Sequence, residues 1–374
     1  DKNVWFQNYN EMKKYSSICL NMIVKNESHI IQETLKNLTS KIHFDYWVIC
    51  DTGSTDDTVN IIKNFFKKEG IDGEIHNHKW VDFAYNRNLA LQRVKGKCDY
   101  TFIFDADDKI EGDLKLPQKL EYDCYRLKLR MGVDWYRPLL IKSDLDWKWY
   151  GVLHEFLSCD DKFTSVHHDI DTYWISASTT GNRNQNPNKY LDDAKTLEKA
   201  YNNKKDEHLN PRYAFYCAQS YRDANKPKDA IKWYRQRTQL GGWNQEIYYS
   251  HLMAGKLLME ENLHEQAITE FLKGQEVLNT RIECYYELVK YYKDKRKYDL
   301  AYGFAMAAKK INIDTKGLFM RNDIHKYLLD YEITLTAWYV NDIKTGLESS
   351  NKILKLGYDT PITNTVKTNL KFYQ

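Results

Sequence analysis

The chain has no Cys-x-x-Cys pair, no dominant run of Lys and Arg, no low-complexity tract and no apolar stretch approaching the length of a membrane span. Each absence excludes something. A bilayer-crossing helix needs about 20 consecutive apolar residues, so no transmembrane segment is expected. Zinc ribbons and dithiol redox sites need closely spaced cysteines. The seven cysteines here, at 19, 50, 98, 124, 159, 217 and 284, are odd in number and scattered, which fits free thiols in a reducing compartment. A net charge of only +3 over 374 residues, with no basic face, argues against nucleic acid as a partner. No secretory signal is legible, so the expected location is cytoplasmic, and Asn-Glu-Ser at 26–28 and Asn-Leu-Thr at 37–39 are read as chance matches to glycosylation acceptors. Neither a G-x-x-x-x-G-K-[ST] phosphate loop nor a G-x-G-x-x-G fingerprint occurs.

What is present divides the chain in two. The first half alternates short apolar runs with helical patterns. "SICLNMIV" (17–24), "DYWVIC" (45–50), "GEIHNH" (73–78) and "YTFIF" (100–104) read as strands. Helical patterns lie between them, from Glu27 to about Leu38, through Phe66, and over 83–94. Such alternation predicts a mostly parallel sheet covered on both faces, in which ligands bind outside the carboxyl ends of the strands. The turns at Lys25–Glu27, Asp51–Thr55 and Asp105–Asp108 each follow a strand and should line one edge. Residues 121–175 are β-like without intervening helices and are expected to complete this domain.

From about Asn188 the pattern is helical and repeats. Ala230, Ala267 and Ala301 recur at intervals of 37 and 34 residues, and Ala218, Gly255 and Val289 precede them by twelve each. Small residues at helix crossings, with Tyr221, Leu258, Tyr292, Tyr234 and Phe271 around them, predict tetratricopeptide-type helical hairpins. A degenerate fourth pair is expected at 330–355, with Gly346 near "AWYV". The division predicted is an α/β domain over 1–206 and an all-α repeat domain over 207–374.

The chemistry concentrates in "YTFIFDADDKIEG" (100–112). Asp105, Asp107 and Asp108 crowd together directly after an apolar run. Like charges about 4 Å apart repel by about 4 kcal/mol near a protein surface, so such a cluster either splays into solvent or holds a cation. Alternation in an extended segment puts Asp105 and Asp107 on one side, and Mg²⁺ or Mn²⁺ characteristically takes one or two carboxylates plus substrate phosphates. "DTGSTDDT" (51–58) adds a strand-end carboxylate and a glycine able to adopt φ > 0; its plain structural alternative is a turn with an N-cap.

Together, "LNMIVKNESHIIQETLKNL", "VICDTGSTDDTVNIIKNF", "FAYNRNLALQRVKGKCDYTFIFDADD" and "YGVLHE" resemble a glycosyltransferase of family 2 with the GT-A fold. "NPNKYLDDAKTLEKA", "PRYAFYCAQSYRDANKPKDAIKWYRQR" and "GGWNQE" resemble the tetratricopeptide-like extension of a subgroup. The resemblance implies an inverting, metal-dependent enzyme using a UDP-sugar and Mn²⁺ or Mg²⁺. It implies that Asp51 contacts the base, and that Lys25, Asn26 and Glu27 border the nucleotide. Arg87 would lie near the base or diphosphate. In the D-x-D of Asp105, Ala106 and Asp107, it gives Asp105 to ribose and metal and Asp107 to the metal directly.

The Glu-Asp pair of many relatives is missing after the D-x-D. Glu155 in "LHE" is the expected base, with His154 orienting it or reaching the metal. Asp144 and Asp146 compete for that role. His168 is a candidate third metal ligand, and Arg183 a candidate diphosphate contact. Trp135, Trp147, Trp149 and Tyr150 are offered for stacking on sugars. His76 and His78 have metal-like spacing but read as solvated edge residues. Expected partners are the nucleotide-sugar donor, a glycan or protein acceptor, and through the repeats a protein partner or second copy. Two alternatives stand beside this reading. One is a lapsed transferase fold serving as a protein-binding scaffold. The other is a nucleotidyltransferase, although "VKNESH" lacks the glycine- and Lys/Arg-rich loop it would need.

Overall fold

The computed structural model describes residues 15–131, 133–178 and 180–374. The chain forms two compact units divided between Asp192 and Asp193. That division falls inside a helix, Lys189–Asn202, rather than after it at 206.

In the first unit, strands β1 (Ile18–Val24), β2 (Tyr46–Asp51), β3 (Gly73–Asn77) and β4 (Tyr100–Ile103) pair in parallel in the order β3-β2-β1-β4. Helices α1 (Ile31–Lys41), α2 (Thr58–Glu69) and α3 (Phe83–Val94) connect or cover them. The sheet continues through β7 (Val133–Lys142), β6 (Cys124–Met131), β11 (Tyr173–Ser176) and β5 (Lys109–Gly112), with β10 (Ser165–His168) beside β6. β7 runs antiparallel to both β4 and β6. A separate hairpin joins β8 (Trp147–Tyr150) to β9 (Phe156–Cys159).

Strand β1 shows why the fold forms. Ile18, Leu20, Met22 and Val24 enter one core with Ile31, Leu35, Phe66 and Phe102, while Cys19 faces the opposite core with Leu91, Val94 and Trp149. A strand covered on both faces needs apolar residues at consecutive positions. The exception, Asn21, is buried and donates to the Val48 and Ala90 carbonyls at 3.2 Å each, so its amide ties β1 to β2 and α3. Helix α1 starts at Ile31, not at Glu27, because Asn26 takes a left-handed backbone (φ 54°) and residues 27–30 form a turn whose Glu27 carbonyl accepts from Ile30 and Ile31. Asp82 caps α3 by accepting from the Tyr85 N–H at 2.8 Å.

The second unit comprises hairpins of α5 (Asn210–Asp223) with α6 (Pro227–Thr238), α7 (Asn244–Glu260) with α8 (His264–Val277), and α9 (Glu283–Asp294) with α10 (Tyr298–Lys309). α4 is Lys189–Asn202, and a fourth hairpin pairs α11 (Leu329–Thr336) with α12 (Ile343–Lys355), followed by α13 (Pro361–Asn369). Ala218, Val289, Ala230, Ala267 and Ala301 are fully buried at the crossings, and a Cβ on Gly255 would meet the Phe271 ring at 2.4 Å. At Gly346 a Cβ would strike the Tyr373 ring at 2.1 Å. These contacts account for the spacing of small residues.

One backbone device recurs in all four hairpins. Asn225, Asn262, Arg296 and Asn341 have φ of 56°, 60°, 58° and 59°. After each, the next N–H reaches back five residues: Lys226 to Tyr221, Leu263 to Leu258, and Lys297 to Tyr292 at 2.9 Å, and Asp342 to Ala337 at 3.0 Å. This is the Schellman closure of a helix. Among the described residues no helix is long and apolar enough to cross a membrane.

Candidate active site

The carboxyl ends of β1, β2 and β4 lie side by side, and their loops are knitted together. The Asn26 N–H donates to Ser54 Oγ at 2.8 Å, Thr55 N–H to Asn26 Oδ1 at 2.7 Å, and Glu27 N–H to Thr58 Oγ1 at 2.8 Å. Asp51 is buried at the end of β2, and its Oδ2 accepts from the Gly53 and Ser54 N–H groups at 3.1 and 3.0 Å. The turn needs Gly53, whose φ is 107°. Asp51 Oδ1 is buried with no partner among the described residues. Such an orphan is costly. Lys25 is exposed beside this loop.

Arg87 organises the other side. From α3 its guanidinium donates Nη2 to Asp105 Oδ1 at 2.7 Å and Nε to Glu155 Oε1 at 2.8 Å, and it lies 4.9 Å over the Trp149 ring. Arg137 on β7 approaches the other Asp105 oxygen at 3.6 Å. The Asn88 side chain holds the Trp149 backbone by donating to its carbonyl at 2.9 Å and accepting from its N–H at 2.8 Å, fixing β8 to α3. Glu155 therefore arrives through the β8–β9 turn, where Gly151 (φ 100°) and His154 (φ 51°) reverse the chain. Glu155 Oε2 has no hydrogen-bond partner among the described residues.

The aspartates are not equivalent. Burial opposes ionisation of Asp105, but Arg87 and Arg137 outweigh it and hold the carboxyl below its ordinary value. Burial and the Asp105 charge push Asp107 above its ordinary value. Burial, with the charges of Asp105 and Asp107, pushes Asp108 up to about 8, Arg137 opposing. Glu27 is also raised by burial, against an Asn182 N–H that donates to its carboxylate at 3.2 and 3.4 Å.

Residues 180–185 meet these carboxylates. The Gly181 N–H donates to Asp107. Asn184 Nδ2 lies 3.4 Å from Asp107 Oδ2, and Lys189 Nζ donates to Asn184 Oδ1. A Cβ on Gly181 would sit 2.6 Å from Asp107 Oδ2, so a larger residue there would force the Asp107 carboxylate to move. Arg183 stacks its guanidinium 5.1 Å over Phe83. Ala106 is buried, its carbonyl accepting from Thr34 Oγ1 at 2.6 Å, which anchors the D-x-D backbone to α1.

Several sequence-derived candidates sit elsewhere. Asp144 follows β7, which runs antiparallel to β4 with Lys142 opposite Tyr100. Asp144 is therefore exposed at the amino edge of β4, opposite the D-x-D, and is removed as a base; Asp146 shares that edge and pairs with Lys95 at 3.4 Å. His168 lies on β10, separated from β4 by β6 and β7, against Tyr125 and Tyr173 with ring centroids at 6.4 and 5.5 Å. Burial lowers its pKa, and the position suits core packing, not a metal ligand beside Asp107. His154 is exposed in its turn. Among the described residues no three His, Cys, Asp or Glu side chains form a metal cage. Trp135 packs against the main core, Trp147 and Trp149 are buried, and His76 and His78 are half-buried and stacked at 6.1 Å.

The sequence reading missed Arg137, Gly181, Asn182 and Asn184. Only the antiparallel register of β4 and β7, with Phe102 opposite Leu140, would have brought Arg137 to the carboxyl end of β4. A glycine between "STT" and "NRNQN" was the single available hint for the other three.

Residues 19–123 match the model for glycosyl transferase family 2. That stretch runs from β1 through β5 of the first unit, whose strands β1 to β4 pair in parallel. Over 93 residues the chain is 37% identical to the SPbeta prophage-derived glycosyltransferase SunS of Bacillus subtilis strain 168, covering 25% of this chain and 20% of the relative. The match thus spans about a fifth of the relative's length. The mannosyltransferase PcManGT from Pyrobaculum calidifontis, solved with GDP-Man and Mn²⁺, aligns at a TM-score of 0.38 and 12% identity over 83% of this chain and 93% of its own. The C-terminal part of a TPR repeat-containing protein from Cytophaga hutchinsonii aligns at 0.35 and 18% identity over 45% of this chain and 60% of its own.

Proposed function

We propose that the first unit is an inverting, metal-dependent glycosyltransferase that moves a sugar from a nucleotide-diphosphate donor, UDP-linked by the family resemblance, to a hydroxyl of a glycan or protein acceptor. One observation carries this reading. Asp51 and Asp107 stand at the carboxyl ends of parallel strands in one sheet, one with an orphaned oxygen and the other held above its ordinary pKa. Both features are unfavourable without a ligand, and a nucleotide with a divalent cation satisfies both.

Asp51 Oδ1 accepts a base N–H, with Lys25, Asn26 and Glu27 bordering the nucleotide. Mn²⁺ or Mg²⁺ fits at Asp107 with donor phosphates as its other ligands, and when bound it stabilises charge on the departing diphosphate. Asp105, whose oxygens both face arginines, serves as the anchor that positions Arg87. Glu155 is the base. Arg87 fixes one carboxylate oxygen, leaving Oε2 to take the acceptor's proton as its oxygen attacks. Arg183 stands at the rim for the diphosphate.

The test is release of nucleoside diphosphate from a panel of nucleotide-sugars with Mn²⁺, Mg²⁺ or chelator. Metal-dependent release from one donor, reduced about 10²–10³-fold or more in Asp107→Ala, supports the proposal. Donor binding without turnover across acceptors supports the scaffold, and release of pyrophosphate supports nucleotidyl transfer.

A further inference from the structure

The second unit contains a polar cavity of ≈ 580 Å³ between α6 and α8, floored by α7. That volume is within the range of small-molecule sites, about 300–1,000 Å³. Lys232, Arg235 and Gln239 face it from α6, and Gln266, Glu270 and Lys273 from α8, at the three- and four-residue spacing that puts side chains on one helix face.

At the floor, Glu270 and His251 are 4% and 6% exposed. Glu270 accepts from Arg235 Nε at 2.7 Å and lies 2.8 Å from His251 Nδ1. Burial raises its pKa, but the His251 and Arg235 hydrogen bonds prevail and hold it below the ordinary value. An ionised carboxylate only accepts, so Nδ1 carries a proton and Nε2 is the ring nitrogen left for a ligand. That atom has no hydrogen-bond partner among the described residues, and His251 lines the cavity. At the rim, the exposed Lys232 and Lys273 have no salt-bridge partner among the described residues.

We infer that this cavity binds an anionic saccharide unit, a sugar phosphate or a sugar acid, with its oxyanion between the ammonium groups of Lys232 and Lys273 and a hydroxyl hydrogen-bonded to His251 Nε2. Three cations face one carboxylate here, and Arg235 is already engaged by Glu270 and Gln266. The two lysines are therefore the charges left for a ligand. Ammonium groups are compact donors suited to oxyanions, and the ring nitrogen beneath them offers a hydroxyl a partner that a bare anion does not use.

The test is calorimetric titration of the full chain with glucose 6-phosphate and with glucuronate, against glucose and potassium chloride at matched ionic strength. The expected result is saturable binding of at least one anion, none of glucose, and a tenfold or greater weakening in the surface variant Lys232→Glu/Lys273→Glu. Phosphate-only or carboxylate-only binding supports the site and names its oxyanion. His251→Gln should weaken binding severalfold while leaving the far-ultraviolet spectrum unchanged. Binding of neither anion overturns the inference, as does binding that the double variant leaves unchanged. Inorganic phosphate binding as tightly as glucose 6-phosphate also overturns it, because the hydroxyl contact would then contribute nothing.

Discussion

The strand-end carboxylates of the α/β unit, Asp105 apart, and the carboxylate at the floor of the helical cavity are treated in opposite ways. In the α/β unit, Glu27, Asp107 and Asp108 are all held above their ordinary pKa by burial among like charges. In the helical unit, Glu270 is more deeply buried than Glu27 or Asp107 yet is held below its ordinary pKa, because Arg235 and His251 supply the compensation. The first arrangement opposes ionisation in the chain by itself, and the proposed cation would relieve it; the second is complete within the chain. Strain of that kind gathers where ligands bind. Its presence at one sheet edge, in a fold whose strand ends converge there, marks the site more firmly than the aspartate spacing alone.

The sharpest way to break this contrast is Asp107→Asn. It should lower nucleotide release by about 10²–10³-fold or more while raising thermal stability, by about 2–4 °C for each kcal/mol of repulsion relieved. Mn²⁺ should raise Tm of the parent chain and leave the variant unmoved, as expected of a ligand binding only the folded state. Equal Tm for both without metal would show that Asp107 is not strained.

Next in size is Arg87→Ala, which strands Asp105 and Glu155 without their shared partner. Removing one member of a buried ion network costs about 3–5 kcal/mol, and denaturant unfolding should show that loss together with loss of activity. Arg87→Lys, lacking the planar fork, should recover part of the stability and little of the activity.

In the helical unit the matching variant is Glu270→Gln, with an expected loss of about 1–3 kcal/mol near neutral pH. Because the folded pKa of Glu270 is depressed, its contribution is present above the ordinary carboxylate pKa and is lost as pH falls through the folded value. Parent and variant should therefore converge in acid, and a difference independent of pH would count against the charged bracket. The smallest effect is a gain. Arg296 occupies a left-handed backbone position that its three counterparts fill with asparagine, and Arg296→Gly should stabilise by about 1 kcal/mol, measured as a shift in the denaturation midpoint.

How much was legible beforehand follows from how local each feature is. Strands β1, β2 and β4, the D-x-D and the alternation of small and large residues in the hairpins all declare themselves within a short window. Asp51, Arg87, Asp105, Asp107 and Glu155 were legible as candidates, and the fold brings Arg87, Asp105 and Glu155 into direct contact. Asp144 misled because strand direction is not written in composition: an antiparallel β7 carries its end back to the wrong edge. His168 misled because β10 joins the sheet beside β6, away from β4. Gly181 and Asn184 reach Asp107 across more than seventy residues of chain, a separation no local pattern spans. The domain boundary was placed late because the end of the linker and the start of α4 share one helical pattern.

The repeated left-handed turn has a consequence for how this chain can change length. Asn225, Asn262, Arg296 and Asn341 mark equivalent points in successive hairpins, each two residues before its second helix. A deletion or duplication running from one such point to the next rejoins the backbone in the conformation it left, and carries one whole pair of helices with it. The solenoid is therefore divisible at these residues: it can gain or lose hairpins as discrete modules, with no new junction to invent.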